Sequence, residues 1–146
     1  MNYHRLMVSR IVVDTSVLIS ALLGPSGPSR VLVRRCLEGQ HQPLMGNALF
    51  AEYEAVITRD SFIAQCQLTR NEVDALLQAF MSICEWTSIY YTWRPNLKDE
   101  ADNHLIELAI AGNAESIVTR NIRDFKNAEL LFPDLLILTP EEILNR

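Results

Sequence analysis

Ile11-Val12-Val13 runs straight into Asp14, and apolar residues resume at helical spacing with Val17, Leu18, Ala21 and Leu22. An unbroken run of this kind reads as a short strand buried on both faces, as parallel strands are. Helices must then cover the sheet on each side. Asp14 stands at the carboxyl end of that strand, where open α/β sheets bind ligands. Two readings of it stay open at this point. It caps the next helix, a role Ser16 could share, or it is one acid of a site.

The same alternation continues along the chain. Gly24-Pro25-Ser26-Gly27-Pro28 is a turn-rich break, and no Lys-Ser/Thr follows its second glycine, which argues against a phosphate loop of the Walker kind. Ser29 is predicted to cap a helix with Val31, Leu32 and Leu37 inward and Arg30, Arg34 and Arg35 outward, closed by Gly39. Residues 42–45 read as a short strand. Gly46-Asn47 opens a helix carrying Leu49, Phe50, Tyr53, Val56 and Ile57. Thr69 to Glu72 has the spacing of a capping box, ahead of apolar positions at helical period from Val73 to Ile83. Residues 88–93 read as a strand ended by Pro95, and residues 99–111 as a helix closed by Gly112. Residues 116–119 form a short buried strand before the polar loop 120–127, and residues 135–138 a last strand. Thr139-Pro140-Glu141-Glu142 is a second capping box, with proline at the first helical position. Without internal repeat or linker, residues 1–146 read as one three-layer α/β/α domain with its core at about 10–144.

Composition narrows the job without naming it. A net charge of −5 argues against broad electrostatic capture of nucleic acid, though a local site in which metal ions offset carboxylates escapes that argument. Cys36, Cys66 and Cys84 form no CxxC and read as free thiols of a reduced, cytoplasmic protein. No apolar run approaches the roughly 18 residues of a membrane span, and the first ten residues do not read as a signal peptide.

Acids and amides recur where strands or helices begin or end. Asp14 follows the first strand, and Glu52 lies about one turn into the helix after the second. Asp99, Glu100 and Asp102 crowd one helix start, and Asn121 and Asp124 lie in the loop after residues 116–119. Hard oxygen donors in such a set suit Mg²⁺ or Mn²⁺ rather than zinc. Each also has a plain structural reading as a cap, a turn residue or a solvated face. Their common order in a βα chain carries the argument.

Asp14-Thr15-Ser16-Val17-Leu18, Leu49-Phe50-Ala51-Glu52-Tyr53, Asp99-Glu100-Ala101-Asp102-Asn103 and Ile117-Val118-Thr119-Arg120-Asn121 through Asp124-Phe125 resemble the motifs of a PIN domain. The resemblance runs from about residue 10 to 144 and is greatest to bacterial PIN proteins described as toxin components of toxin–antitoxin systems, related to VapC. It implies a five-stranded parallel sheet in order 3-2-1-4-5 and a Mg²⁺- or Mn²⁺-dependent ribonuclease. It also implies a cognate antitoxin and a homodimer. Asp14, Glu52 and Asp102 match the motif's acids and would hold one ion. The fourth acid usually lies in a Thr-x-Asp-x-x-Asp/Asn pattern; here its first position is Asn121 and the acid comes only at Asp124. Those two residues are then assigned to a second ion or to the attacking water. Thr15, Ser16 and Thr119 would orient the carboxylates.

Arg120, Arg123 and Lys126 put positive charge beside the acids, where it could guide an RNA backbone. Tyr90, Tyr91 and Trp93 read as core rather than as base-stacking residues. His104, two residues beyond Asp102, is turned away from that acid on an ideal helix and is set aside as a ligand. A phosphatase of the haloacid-dehalogenase type would need a second Asp where Ser16 stands, and a dinucleotide fold would need G-x-G-x-x-G after strand one. The alternative from another class is a catalytically weak or inactive PIN-like module that binds nucleic acid or protein, which Asn121 keeps open.

Overall fold

The computed structural model describes residues 8–24, 26–89, 103–125, 128 and 131–146. Strand β1 (Ser9–Val13) leads into helix α1 (Thr15–Leu23) and then α2 (Pro28–Leu37). β2 (His41–Met45), α3 (Asn47–Ile57), a short α4 (Asp60–Gln65), α5 (Arg70–Ile83) and β3 (Glu85–Trp86) follow. α6 (Asn103–Ala111), β4 (Ser116–Val118), a 3-10 turn at Ile122–Phe125, β5 (Leu136–Leu138) and α7 (Pro140–Leu144) complete the described elements. The five strands form one sheet in the order β3-β2-β1-β4-β5, every pair parallel. The expected order 3-2-1-4-5 is the observed one.

β1 lies at the centre because its residues tolerate burial on both faces. Ile11, Val12 and Val13 are at most 1% exposed, as are Ile117 and Val118 beside them on β4. α3 and α5 place Leu49, Tyr53, Val73 and Phe80 in the core, and α6 adds Leu105, Ile106 and Leu108. Both capping boxes form. Thr69 and Glu72 exchange side-chain and backbone hydrogen bonds at the start of α5, and Thr139 and Glu142 do the same at α7. At the amino end of β1, the Arg10 guanidinium donates to the Gly112 carbonyl at 3.0 and 2.7 Å and pairs with Glu85. A cation beside a helix's carboxyl terminus is favoured by the helix dipole. Strand order reverses between β1 and β4, opening a crevice at their carboxyl ends.

Several local expectations are corrected. The third strand is Glu85–Trp86 rather than residues 88–93: Ser88 and Ile89 lie outside any strand, and residues 90–93 are outside the described residues. Pairing with Leu44 and Met45 sets its place, and both its residues are exposed, so no apolar run marks it. Ser29 does not cap α2. Gly27, at φ 132°, is the N-cap, Pro28 occupies the first turn, and Ser29 is buried within the helix. Leu37, expected inward, is 36% exposed, while Cys36 takes the core position beside it. Among the described residues no single helix is long and apolar enough to cross a membrane.

Candidate active site

Asp14 occupies the N-cap position of α1, yet its side chain makes no cap hydrogen bond. The carboxylate is engaged elsewhere. Its Oδ2 accepts the Thr119 hydroxyl at 2.7 Å and the Ser16 hydroxyl at 2.9 Å, while its backbone N–H donates to the Val118 carbonyl at 2.9 Å. The strand reversal makes this meeting possible, because it lays the end of β1 beside the end of β4. Asp14 is 5% exposed, and burial raises its pKa above the ordinary carboxylate value. The hydrogen bonds from Thr119 and Ser16 oppose that rise, and the charge of Glu52 adds to it.

Glu52 comes from α3, one helix over. Tyr53, the next residue, is buried, and its hydroxyl donates to the Val13 carbonyl at 2.5 Å, which pins α3 to the end of β1. Glu52 Oε2 lies 2.8 Å from His104 Nε2 on α6. That hydrogen bond is the main reason the Glu52 carboxyl sits below its ordinary pKa; burial opposes it. The Thr15 hydroxyl, buried at the start of α1, adds to the lowering without reaching hydrogen-bond geometry. His104, set aside on helical phase, is therefore at the site. The phase argument placed it relative to Asp102, whereas its partner reaches across from α3.

The loop after β4 is tied in through its backbone. Asn121 N–H donates to Thr119 Oγ1 at 2.9 Å, and Arg120 N–H to Ser16 Oγ at 3.1 Å. Phe125, fully buried, anchors the 3-10 turn, and Asp124 N–H closes it onto the Asn121 carbonyl. Neither the Asn121 nor the Asp124 side chain hydrogen-bonds to Asp14 or Glu52 among the described residues. Arg123 is exposed, and Arg120 pairs with Glu141 at 2.9 Å. Asp99, Glu100, Asp102 and Lys126 lie outside the described residues, as do Tyr90, Tyr91 and Trp93.

Sequence reasoning missed two further polar groups. Asn103 and Glu107, one turn apart on α6, are buried, and Asn103 Oδ1, Glu107 Oε1 and Thr15 Oγ1 have no hydrogen-bond partner among the described residues. A carboxylate inside Leu105-Ile106-Glu107-Leu108-Ala109 was the available signal, since buried polar groups are normally paired. Among the described residues no three His, Cys, Asp or Glu side chains gather as a complete metal site would require. The chemistry of the donors present still fits a hard divalent cation. Asp14 and Glu52 are carboxylates close enough for one to disfavour ionisation of the other, and among the described residues α1 and the helix that carries His104 each hold a buried oxygen without a partner.

A parallel 3-2-1-4-5 sheet, with Asp14 held at the strand reversal, defines an α/β fold of the PIN-like kind. The chain belongs to the PIN domain family, whose model matches residues 10–123. Among solved structures it is similar to a chain in the crystal structure of VapBC2 from Rickettsia felis bound to a DNA fragment from their promoter. The two share 16% sequence identity with a TM-score of 0.54, over 89% of this chain and 98% of that one. No curated protein sequence matches this one.

Proposed function

We propose that this protein is a metal-dependent ribonuclease that hydrolyses RNA phosphodiester bonds, and that it is the toxin of a toxin–antitoxin pair. The observation that carries this reading is the Asp14 carboxylate, buried at the reversal of strand order, turned away from its capping role and oriented by hydroxyls from Ser16 and Thr119. Family membership supports the nuclease class, and the likeness to a chain of the VapBC2 assembly supports the antitoxin partner.

In this reading Asp14, Glu52 and Asp102 are the residues that would hold Mg²⁺ or Mn²⁺, with Asn121 and Asp124 available to a second ion or to the attacking water. Such an ion supplies a polarised phosphate oxygen and a more acidic water. The chain's own residues do the rest. Ser16 and Thr119 fix the Asp14 carboxylate, His104 fixes Glu52, and the buried position of Asp14 limits water around it. Arg120, Arg123 and Lys126 guide the RNA backbone. The protein acts in the cytoplasm, and its further partner is a second copy of the chain.

The test is incubation with structured and single-stranded RNAs in Mg²⁺, Mn²⁺ or chelator, with Asp14→Asn beside the wild type. Cleavage that needs both metal and Asp14 is the expected result. Wild-type cleavage no faster than that by Asp14→Asn, in either metal, refutes the nuclease. One observation favours a second reading, a binding module with little catalysis: Asn121 is an amide where the motif usually has an acid. Mn²⁺ binding by the wild type that Asp14→Asn abolishes would count against it. The toxin assignment predicts slowed growth when the protein is expressed alone, and unaffected growth would remove it.

A further inference from the structure

Ser16 faces two ways. Its hydroxyl donates to Asp14 Oδ2, and the same side chain lines a cleft of about 510 Å³ that runs from Ser16 to the start of α2. That volume is within the range of about 300–1,000 Å³ usual for small-ligand sites. Ser29, Arg30 and Arg120 line it as well, with Ile19 on the apolar wall, and no carboxylate contributes to its lining among the described residues. In a chain of net charge −5, a cleft with two guanidinium groups and hydroxyls stands out as a place for an anion.

Arg120 is held at both ends. Its backbone N–H donates to Ser16 Oγ, while Nη1 donates to Glu141 at 2.9 Å and to the buried Ser29 hydroxyl at 3.4 Å. Both side-chain bonds use Nη1, so the Nε and Nη2 donors make no protein hydrogen bond among the described residues. A guanidinium fixed in this way loses little freedom on meeting phosphate, and its planar fork suits that group. Arg30 is oriented by its own Nε bond to the Ala21 carbonyl at 2.9 Å.

We infer that this cleft is a phosphate subsite for single-stranded RNA. It holds the backbone phosphate next to the one that meets Asp14, and Arg120 is the contacting residue. The inference rests on the ribonuclease reading and gives the bound strand a direction across the surface, from the acids past Ser16 toward α2.

The experiment is fluorescence anisotropy of a labelled single-stranded oligoribonucleotide in chelator, where binding is read without cleavage, over a series of salt concentrations. Arg120→Ala is expected to weaken binding about tenfold, the scale of one charge-assisted hydrogen bond. The slope of log affinity against log salt should fall by about 0.7, the value for one lost phosphate contact on a single strand. Glu141→Ala breaks the same surface ion pair and leaves the guanidinium, so it is expected to bind as tightly as wild type or more so. Wild-type affinity and slope in Arg120→Ala, or equal weakening in Glu141→Ala, overturns the subsite. If the wild type still cleaves RNA in Mn²⁺, the nuclease reading survives that result. A wild type that neither binds nor cleaves any RNA removes both.

Discussion

His104 Nε2 lies 2.8 Å from Glu52 Oε2, joining α6 to α3 across the mouth of the crevice. The imidazole has 18% of its side-chain surface exposed and the carboxylate 39%, so the bond is partly shielded from water. Partners of this kind fix the direction in which a carboxylate presents its oxygens. Replacing them typically costs about 10- to 100-fold in metal affinity. His104→Ala is expected to show a loss of that order in Mn²⁺ titration calorimetry. His104→Gln, which keeps a hydrogen-bonding group, should recover part of it. Equal affinity in all three proteins would remove His104 from the site.

Asp14 makes a prediction about stability. Burial raises its carboxyl above the unfolded value of about 3.9. Between the two values the folded state binds more protons than the unfolded state, so stability falls as pH rises through that window and stays lowered above it. Asp14→Asn should therefore melt higher than the wild type at neutral pH in metal-free buffer, by about 2–4 °C for each kcal/mol relieved. The difference should close as pH approaches about 4. Added Mn²⁺ should raise the melting temperature of the wild type and leave that of Asp14→Asn unchanged.

Tyr53 links the two acid-bearing elements. Its buried hydroxyl bonds to the Val13 carbonyl, one residue before Asp14, while its neighbour is Glu52. Tyr53→Phe should cost about 1–3 kcal/mol, since a buried acceptor loses its donor. Urea unfolding should show a lower midpoint with an unchanged slope. Metal affinity should fall too, which distinguishes a shift of α3 from a loss of stability alone.

Gly112 ends α6 against the sheet. A methyl group there would collide with Leu44 Cδ1 in the core and stand 3.1 Å from Thr87 Oγ1. Gly112→Ala is expected to destabilise by about 1–3 kcal/mol through overpacking, measured by thermal or urea melting. The carbonyl that Arg10 holds belongs to the same residue, so Arg10→Ala and Gly112→Ala should combine non-additively.

Features decided by nearby residues were legible in the sequence. The apolar run 11–13, both capping boxes and the position of Asp14 at the end of β1 stand as read, because each depends on a few neighbours along the chain. What was missed depends on distant partners. β3 is placed by its pairing with β2, and α4 spans Asp60–Gln65 with only Phe62 buried, too little to show a period. Ser29 looked like a cap because its use, receiving Arg120 from 91 residues away, has no local mark. Helical phase could relate His104 to Asp102 on its own helix but said nothing of a Glu52 side chain arriving from another.

The hydrogen bond from Thr119 to Asp14 joins residues 105 positions apart. A ribosome adding about 5–20 residues per second makes the second partner roughly 5–20 s after the first. Until then the end of β1 has no β4 beside it, and the carboxylate lacks one of the hydroxyls that orient it. A growing chain is therefore chemically unfinished for most of its synthesis. Until Thr119 is made, the Asp14 carboxylate keeps only the Ser16 hydroxyl of the two that hold it.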